Sequence, residues 1–137
     1  MRDRLPALFA ALWWGSLTAV GFMVVPLLFA HLPTPALAGG MAAKLFTVQT
    51  WVSLACGLLM LMASRQPGGV LTPGARGAQP YIVAGLLLAA LVEFAVAPRI
   101  VARENLRLWH SLGSAMYLLQ WVCAGLALCK SLPRRPD

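Results

Sequence analysis

The chain has 137 residues, 60% hydrophobic and 11% charged, with a net charge of +7. A water-soluble domain this short could not bury so much apolar surface, so lipid must cover the excess and no separate soluble domain is expected. The basic residues are scattered at the ends of apolar runs. That distribution argues against a nucleic-acid partner and for topology signals and contact with anionic headgroups.

Four apolar runs fill most of the chain, roughly Leu5–Phe29, Met41–Met62, Tyr81–Val96 and Leu108–Cys129. A helix needs ~20 residues to cross the ~30 Å hydrocarbon core. In lipid every backbone polar group must pair internally, which leaves helices or a closed barrel. The runs lack the strict alternation of barrel strands. The expected fold is all-α: one polytopic membrane domain over residues 1–137 with four transmembrane helices in an up-down bundle. The helices are expected at about 5–29, 35–63, 80–98 and 103–130.

Arg2 and Arg4 precede the first run, and Ala36-Leu37-Ala38 resembles a cleavage site. The run is nevertheless longer than the about 7–15 residues of a signal peptide, so it is read as a retained first helix. Pro6 suits its first turn, Pro26 loosens its last, and Trp14, Thr18, Gly21 and Val25 share a face. Thr34 followed by Pro35 is an N-cap and first-turn pair for the second helix. Gln49, Ser53, Cys56, Gly57 and Met60 share one face of that helix. Lys44 lies on the other side, either snorkelling to headgroups or meeting Glu93.

Residues 63–80 read as a polar loop, with Gln66-Pro67-Gly68-Gly69 and Pro73-Gly74. In the third helix Gly85, Ala89, Glu93 and Ala97 are four apart, so small residues permit close approach and Glu93 faces a neighbouring helix. A carboxylate in the membrane costs at least ~2 kcal/mol and needs a partner or a proton. Pro98-Arg99 reads as the end of this helix. The fourth helix is expected to turn Arg103, His110, Gly113, Ser114, Tyr117, Trp121 and Ala124 inward. Its Leu108, Leu112, Ala115, Leu119, Val122 and Leu126 then face lipid. Gly85, Ala89, Ala97, Gly113 and Ser114 are the expected packing residues. Cys56, Cys123 and Cys129 read as small packing residues, and no internal repeat stands out.

An even number of spans puts both termini on one side. Seven basic residues (Arg2, Arg4, Arg65, Arg76, Lys130, Arg134, Arg135) fall there against four opposite, Lys44, Arg99, Arg103 and Arg107. The bias places both termini in the cytoplasm.

Glu93, Arg99, Arg103, Glu104 and His110, with Lys44, map to the outer half of the bundle. They read either as ion pairs and headgroup contacts that fix loop geometry or as a small polar site open to the outer face. At these residues the chain resembles the TMEM205-like, DUF4149-type family of small four-helix membrane proteins. The matching features are Trp13-Trp14-Gly15-Ser16, Lys44-Leu45-Phe46, Pro98-Arg99 and the run Arg103-Glu104-Asn105-Leu106-Arg107-Leu108-Trp109-His110-Ser111-Leu112. The resemblance covers nearly the whole chain and is most specific in the run ending at His110-Ser111. The short 63–80 connection is similar to that of bacterial members, which implies a multi-pass protein of the bacterial inner membrane. The resemblance implies a fold and no reaction.

Three functions remain open. With no phosphate-binding Gly-rich loop and no GxSxG, the first is a non-catalytic accessory or scaffold protein, not an enzyme, without cofactor or metal. Its partners would be the lipid bilayer and a homo-oligomer or larger membrane complex. The second is ion, proton or small-solute transport through an outward vestibule with Glu93 and His110. The third is a haem- or copper-linked redox accessory protein using His110, with His31 as the other imidazole.

Overall fold

The structure, a computed structural model, describes residues 4–65 and 73–132. The charges at Arg2, Arg134 and Arg135 and the middle of the expected polar loop lie outside them. The described residues are helical, with no β-strand. Four helices are long and apolar enough to cross a membrane: Leu5–His31, Pro35–Ala63, Gly74–Val101 and Leu106–Ser131. The protein is a multi-pass membrane protein on that basis.

The spans form a ring in chain order. Each hairpin packs on itself, and the second span meets the third as the first meets the fourth. Residues from all four build the core, among them Ala10, Trp13, Leu17, Met60, Ile82 and Ala124. Leucines and valines stay outside, where hydrocarbon is the solvent: Leu108, Leu112, Leu119, Val122 and Leu126 are all exposed. Thr34 caps the second span, its hydroxyl accepting from the Leu37 N–H at 3.3 Å with Pro35 in the first turn.

Three boundaries differ from those expected. The third helix starts a full two turns before Tyr81, at Pro73, and Pro80 lies inside it. Its Pro-Gly start reads as a turn in isolation, but Ala75 and Ala78 are buried. A Cβ on Gly74 would lie 3.0 Å from the Lys130 carbonyl, so packing on the fourth span fixes this end. The same helix continues past Pro98 to Val101. The fourth helix begins at Leu106, because Arg103 and Asn105 take positive φ (55° and 38°) and make a turn. Arg103 therefore does not share a helical face with His110.

The passage beyond Pro98 has a local cause. A proline inside a helix removes an N–H and presses on the carbonyl four residues back. Residues Val92–Val96 form a widened π-turn that ends just before Ala97-Pro98, and Val20–Val24 do the same before Val25-Pro26. The wider turn shifts the ladder, with the Val25 N–H bonding the Val20 carbonyl and the Ala97 N–H the Val92 carbonyl. At the first of these turns Tyr117 reaches across from the fourth span. Its hydroxyl donates to the Leu17 carbonyl at 2.8 Å, and the Gly21 N–H faces the phenol oxygen. A Cβ at Gly21 would be 2.5 Å from the Tyr117 ring, so only glycine leaves room.

Large side chains close the bundle axis. The Trp13 ring lies against Gly85, where a Cβ would come within 2.7 Å of it. Phe46 meets Tyr117 edge to face, centroids 5.2 Å apart. Trp13 fills volume at a polar cost: its Nε1 is a buried donor without a partner among the described residues.

Tyr117→Phe removes the hydroxyl that bonds Leu17. Unfolding in mixed micelles should become easier by about 1–3 kcal/mol. Phe94→Leu on the lipid-facing surface should change it by less than about 0.5 kcal/mol.

Candidate functional site

Glu93 sits within the second π-turn, half-buried. Its Oε1 accepts from the Thr47 hydroxyl of the second span at 2.9 Å. No ion pair to Glu93 forms among the described residues, and Lys44, one turn from Thr47, is exposed. A hydroxyl, not a cation, therefore compensates this carboxyl.

The remaining residues of the expected outer cluster do not converge on Glu93. The Arg99 guanidinium lies 4.4 Å from the Trp109 ring centroid, a cation–π contact that ties the end of the third span to the start of the fourth. Arg103, Glu104 and His110 are exposed and have no polar side-chain partner among the described residues. The positive-φ turn interrupts the helix, so Arg103 and Glu104 lie outside the fourth span. Of the expected packing residues, Gly85 and Ala89 are buried and Ala97 and Gly113 half-buried. A Cβ on Gly113 would stand 3.3 Å from Val96. Ser114 is exposed, because the inward face of the fourth span runs through Gln120, Cys123, Ala124 and Ala127.

A second polar centre lies deeper, on the bundle axis. The Gln49 amide donates to Ser16 Oγ at 2.9 Å and to Ser53 Oγ at 3.4 Å. The Gln120 amide donates to the same Ser53 Oγ at 3.0 Å, and Ser53 Oγ donates to the Gln49 carbonyl at 2.8 Å. Gln49, Ser53 and Gln120 are buried. Three spans are thus joined by hydrogen bonds where hydrocarbon offers no alternative partner. Sequence reasoning found Gln49 and Ser53 but missed Ser16 and Gln120. The signal for Gln120 was its place between Tyr117 and Ala124, at helical spacing on the inward face.

A third feature is lateral. Trp14 of the first span stacks on Trp121 of the fourth, centroids 5.5 Å apart, and Phe22 meets Trp121 edge-on at 5.5 Å. The Trp121 N–H donates to Thr18 at 2.9 Å. Beside them runs an apolar groove of about 260 Å³, lined by Trp14, Trp121, Val122, Gly125, Leu126 and their neighbours. The Trp14 N–H lies over Gly125 at its edge, 3.0 Å from where a Cβ would stand, and has no acceptor among the described residues.

Metal chemistry finds no ready cage: among the described residues no three His, Cys, Asp or Glu side chains come together. His31 Nδ1 faces the Leu27 carbonyl of its own helix at 3.1 Å. Cys56 and Cys123 are buried and Cys129 is exposed, all as free thiols.

The family described as a domain of unknown function, DUF4149, matches residues 8–108. The chain belongs to the DUF4149 family. The match takes in the first three spans, both π-turns, Thr47, Glu93 and the positive-φ turn, and ends as the fourth span begins. No curated protein and no solved structure matches the chain. DUF4149 membership carries no reaction, so the chemistry must be argued from these three features.

Thr47→Val deprives Glu93 of its hydrogen-bond donor. It should destabilise the bundle by about 1–2 kcal/mol in denaturant titrations, while His110→Ala changes stability by less than about 0.5 kcal/mol.

Proposed function

We propose that this chain is a non-catalytic accessory or scaffold subunit of a membrane complex, working by contacts within the bilayer. On this reading it is a TMEM205-like protein of the bacterial inner membrane with both termini in the cytoplasm. The observation that carries the proposal is the Trp14 N–H on the apolar groove, which has no acceptor among the described residues. Trp14 stands nine residues, about 14 Å, along the helix from Leu5, which is inside the ~30 Å hydrocarbon layer. Acyl chains offer an N–H no acceptor there, and an unsatisfied group is costly. A transmembrane helix presenting a hydroxyl or a loosened carbonyl would satisfy it, and Gly125 removes the side chain that would hold such a helix away.

Native mass spectrometry of the gently solubilised protein tests this. The wild type should leave detergent as a homo-oligomer or a larger complex, and Gly125→Leu should release the single chain. A wild type that is monomeric throughout refutes the proposal.

One observation favours a second reading, proton or small-ion transport: the Glu93 carboxyl held inside a span by Thr47 without a cation. Flux into liposomes above that of empty vesicles, abolished by Glu93→Gln, would support it. Background flux in both proteins would dismiss it.

A further inference from the structure

The two π-turns have one sequence frame. Val20-Gly21-Phe22-Met23-Val24-Val25-Pro26 and Val92-Glu93-Phe94-Ala95-Val96-Ala97-Pro98 share valine, phenylalanine, valine and proline at the same places, 72 positions apart. The shared offset continues outward: Arg4 corresponds to Arg76, Phe9 to Tyr81 and Ala30 to Ala102. Eight positions separate Pro26 from the N-cap Thr34 and seven separate Pro98 from the N-cap Asn105, so beyond the connections the offset becomes 71. With that shift Phe46 corresponds to Tyr117 and Gln49 to Gln120.

Burial follows the same correspondence. Ala10 and Ile82 are both buried, as are Trp13 and Gly85, Leu17 and Ala89, Gln49 and Gln120, Ser53 and Ala124, Cys56 and Ala127. The agreement is strongest at these axial positions and lapses elsewhere: Val96 is buried where Val24 is exposed, and Thr50 and Met60 are buried where Trp121 and Ser131 are half-buried.

Contacts across the bundle give the geometry. The first and third spans stand diagonally, as do the second and fourth. In such a ring a two-fold axis along the bundle makes corresponding residues meet at its centre. Trp13 packs on its counterpart Gly85. Phe46 packs on its counterpart Tyr117. The counterparts Gln49 and Gln120 converge on one hydroxyl, that of Ser53. Because each hairpin has two spans, corresponding spans run in the same direction, which requires the axis to lie along the membrane normal.

We infer that the chain is two copies of one helical hairpin, joined head to tail and packed about that two-fold axis. The face each hairpin buries is therefore a self-recognition surface fitted to a second copy of the same hairpin. The departures from symmetry come as matched exchanges. Gly21 admits the Tyr117 phenol in one half; in the other, Gly21's counterpart Glu93 bonds Thr47, next in sequence to Tyr117's counterpart Phe46, which has no hydroxyl. At the axis one copy carries the hydroxyl, Ser53, and the other carries Ala124.

That last exchange supplies the test, in the full chain. Ser53→Ala removes the shared acceptor and should lower the thermal midpoint in detergent by about 3–6 °C. Under two-fold symmetry a hydroxyl at position 124 stands where Gln49 and Gln120 can both reach it. The double variant Ser53→Ala/Ala124→Ser should therefore return to within about 1 °C of the wild type. Ser53→Ala/Ala127→Ser places the hydroxyl at another buried alanine of the same helix and should stay at the lowered midpoint. A second exchange, Trp13→Gly with Gly85→Trp, should recover at least half of the loss caused by Trp13→Gly alone. No rescue by Ala124→Ser, or equal rescue by Ala127→Ser, overturns the inference.

Discussion

Hydrocarbon gives a backbone amide nowhere else to go, and this requirement organises the structure. Pro26 and Pro98 each remove a donor inside a span that must remain helical. The helices stay continuous because the ladder widens just before each proline. That widening changes which residues face the axis: Val96 is buried at the end of the second turn, although the four-residue spacing leads to Ala97. It also places Glu93 beside Thr47 and opens Gly21 to the Tyr117 phenol. The Glu93–Thr47 and Tyr117–Leu17 contacts thus sit at the two turns that precede the prolines.

Apolar burial cannot hold these spans together as it holds a soluble core, since lipid tails are as apolar as leucine. Close packing and internal hydrogen bonds take over. Glycines at 21, 57 and 85 admit a ring or a leucine from another span. The Ser16, Gln49, Ser53 and Gln120 contacts tie three spans through side chains that would be unsatisfied if separated. The bundle is specified at its axis by polar matching and at its flanks by small residues, while its aliphatic residues mostly meet lipid.

What was legible in the sequence followed from local physics. Hydropathy and length suffice for four spans, because a span needs only about 20 apolar residues. Periodicity suffices for the Gln49 and Ser53 face and for the lipid side of the fourth helix. The proposed two-fold relation was hidden because apolar segments resemble one another everywhere and the offset changes by one residue at the connection within each hairpin. The start of the third helix was hidden because Pro73-Gly74 reads as a turn until the Lys130 carbonyl is set against it. The outer cluster failed to assemble because positive φ at Arg103 and Asn105 is invisible to helical spacing. Thr47, the partner Glu93 uses, lies on a different helix, so no count along the third could name it.

The two connections at one end of the bundle are very short. Three residues separate His31 from Pro35 and four separate Val101 from Leu106. Almost no polypeptide stands clear of the headgroups on that side, so an antibody or a protease approaching from water would find little to grip.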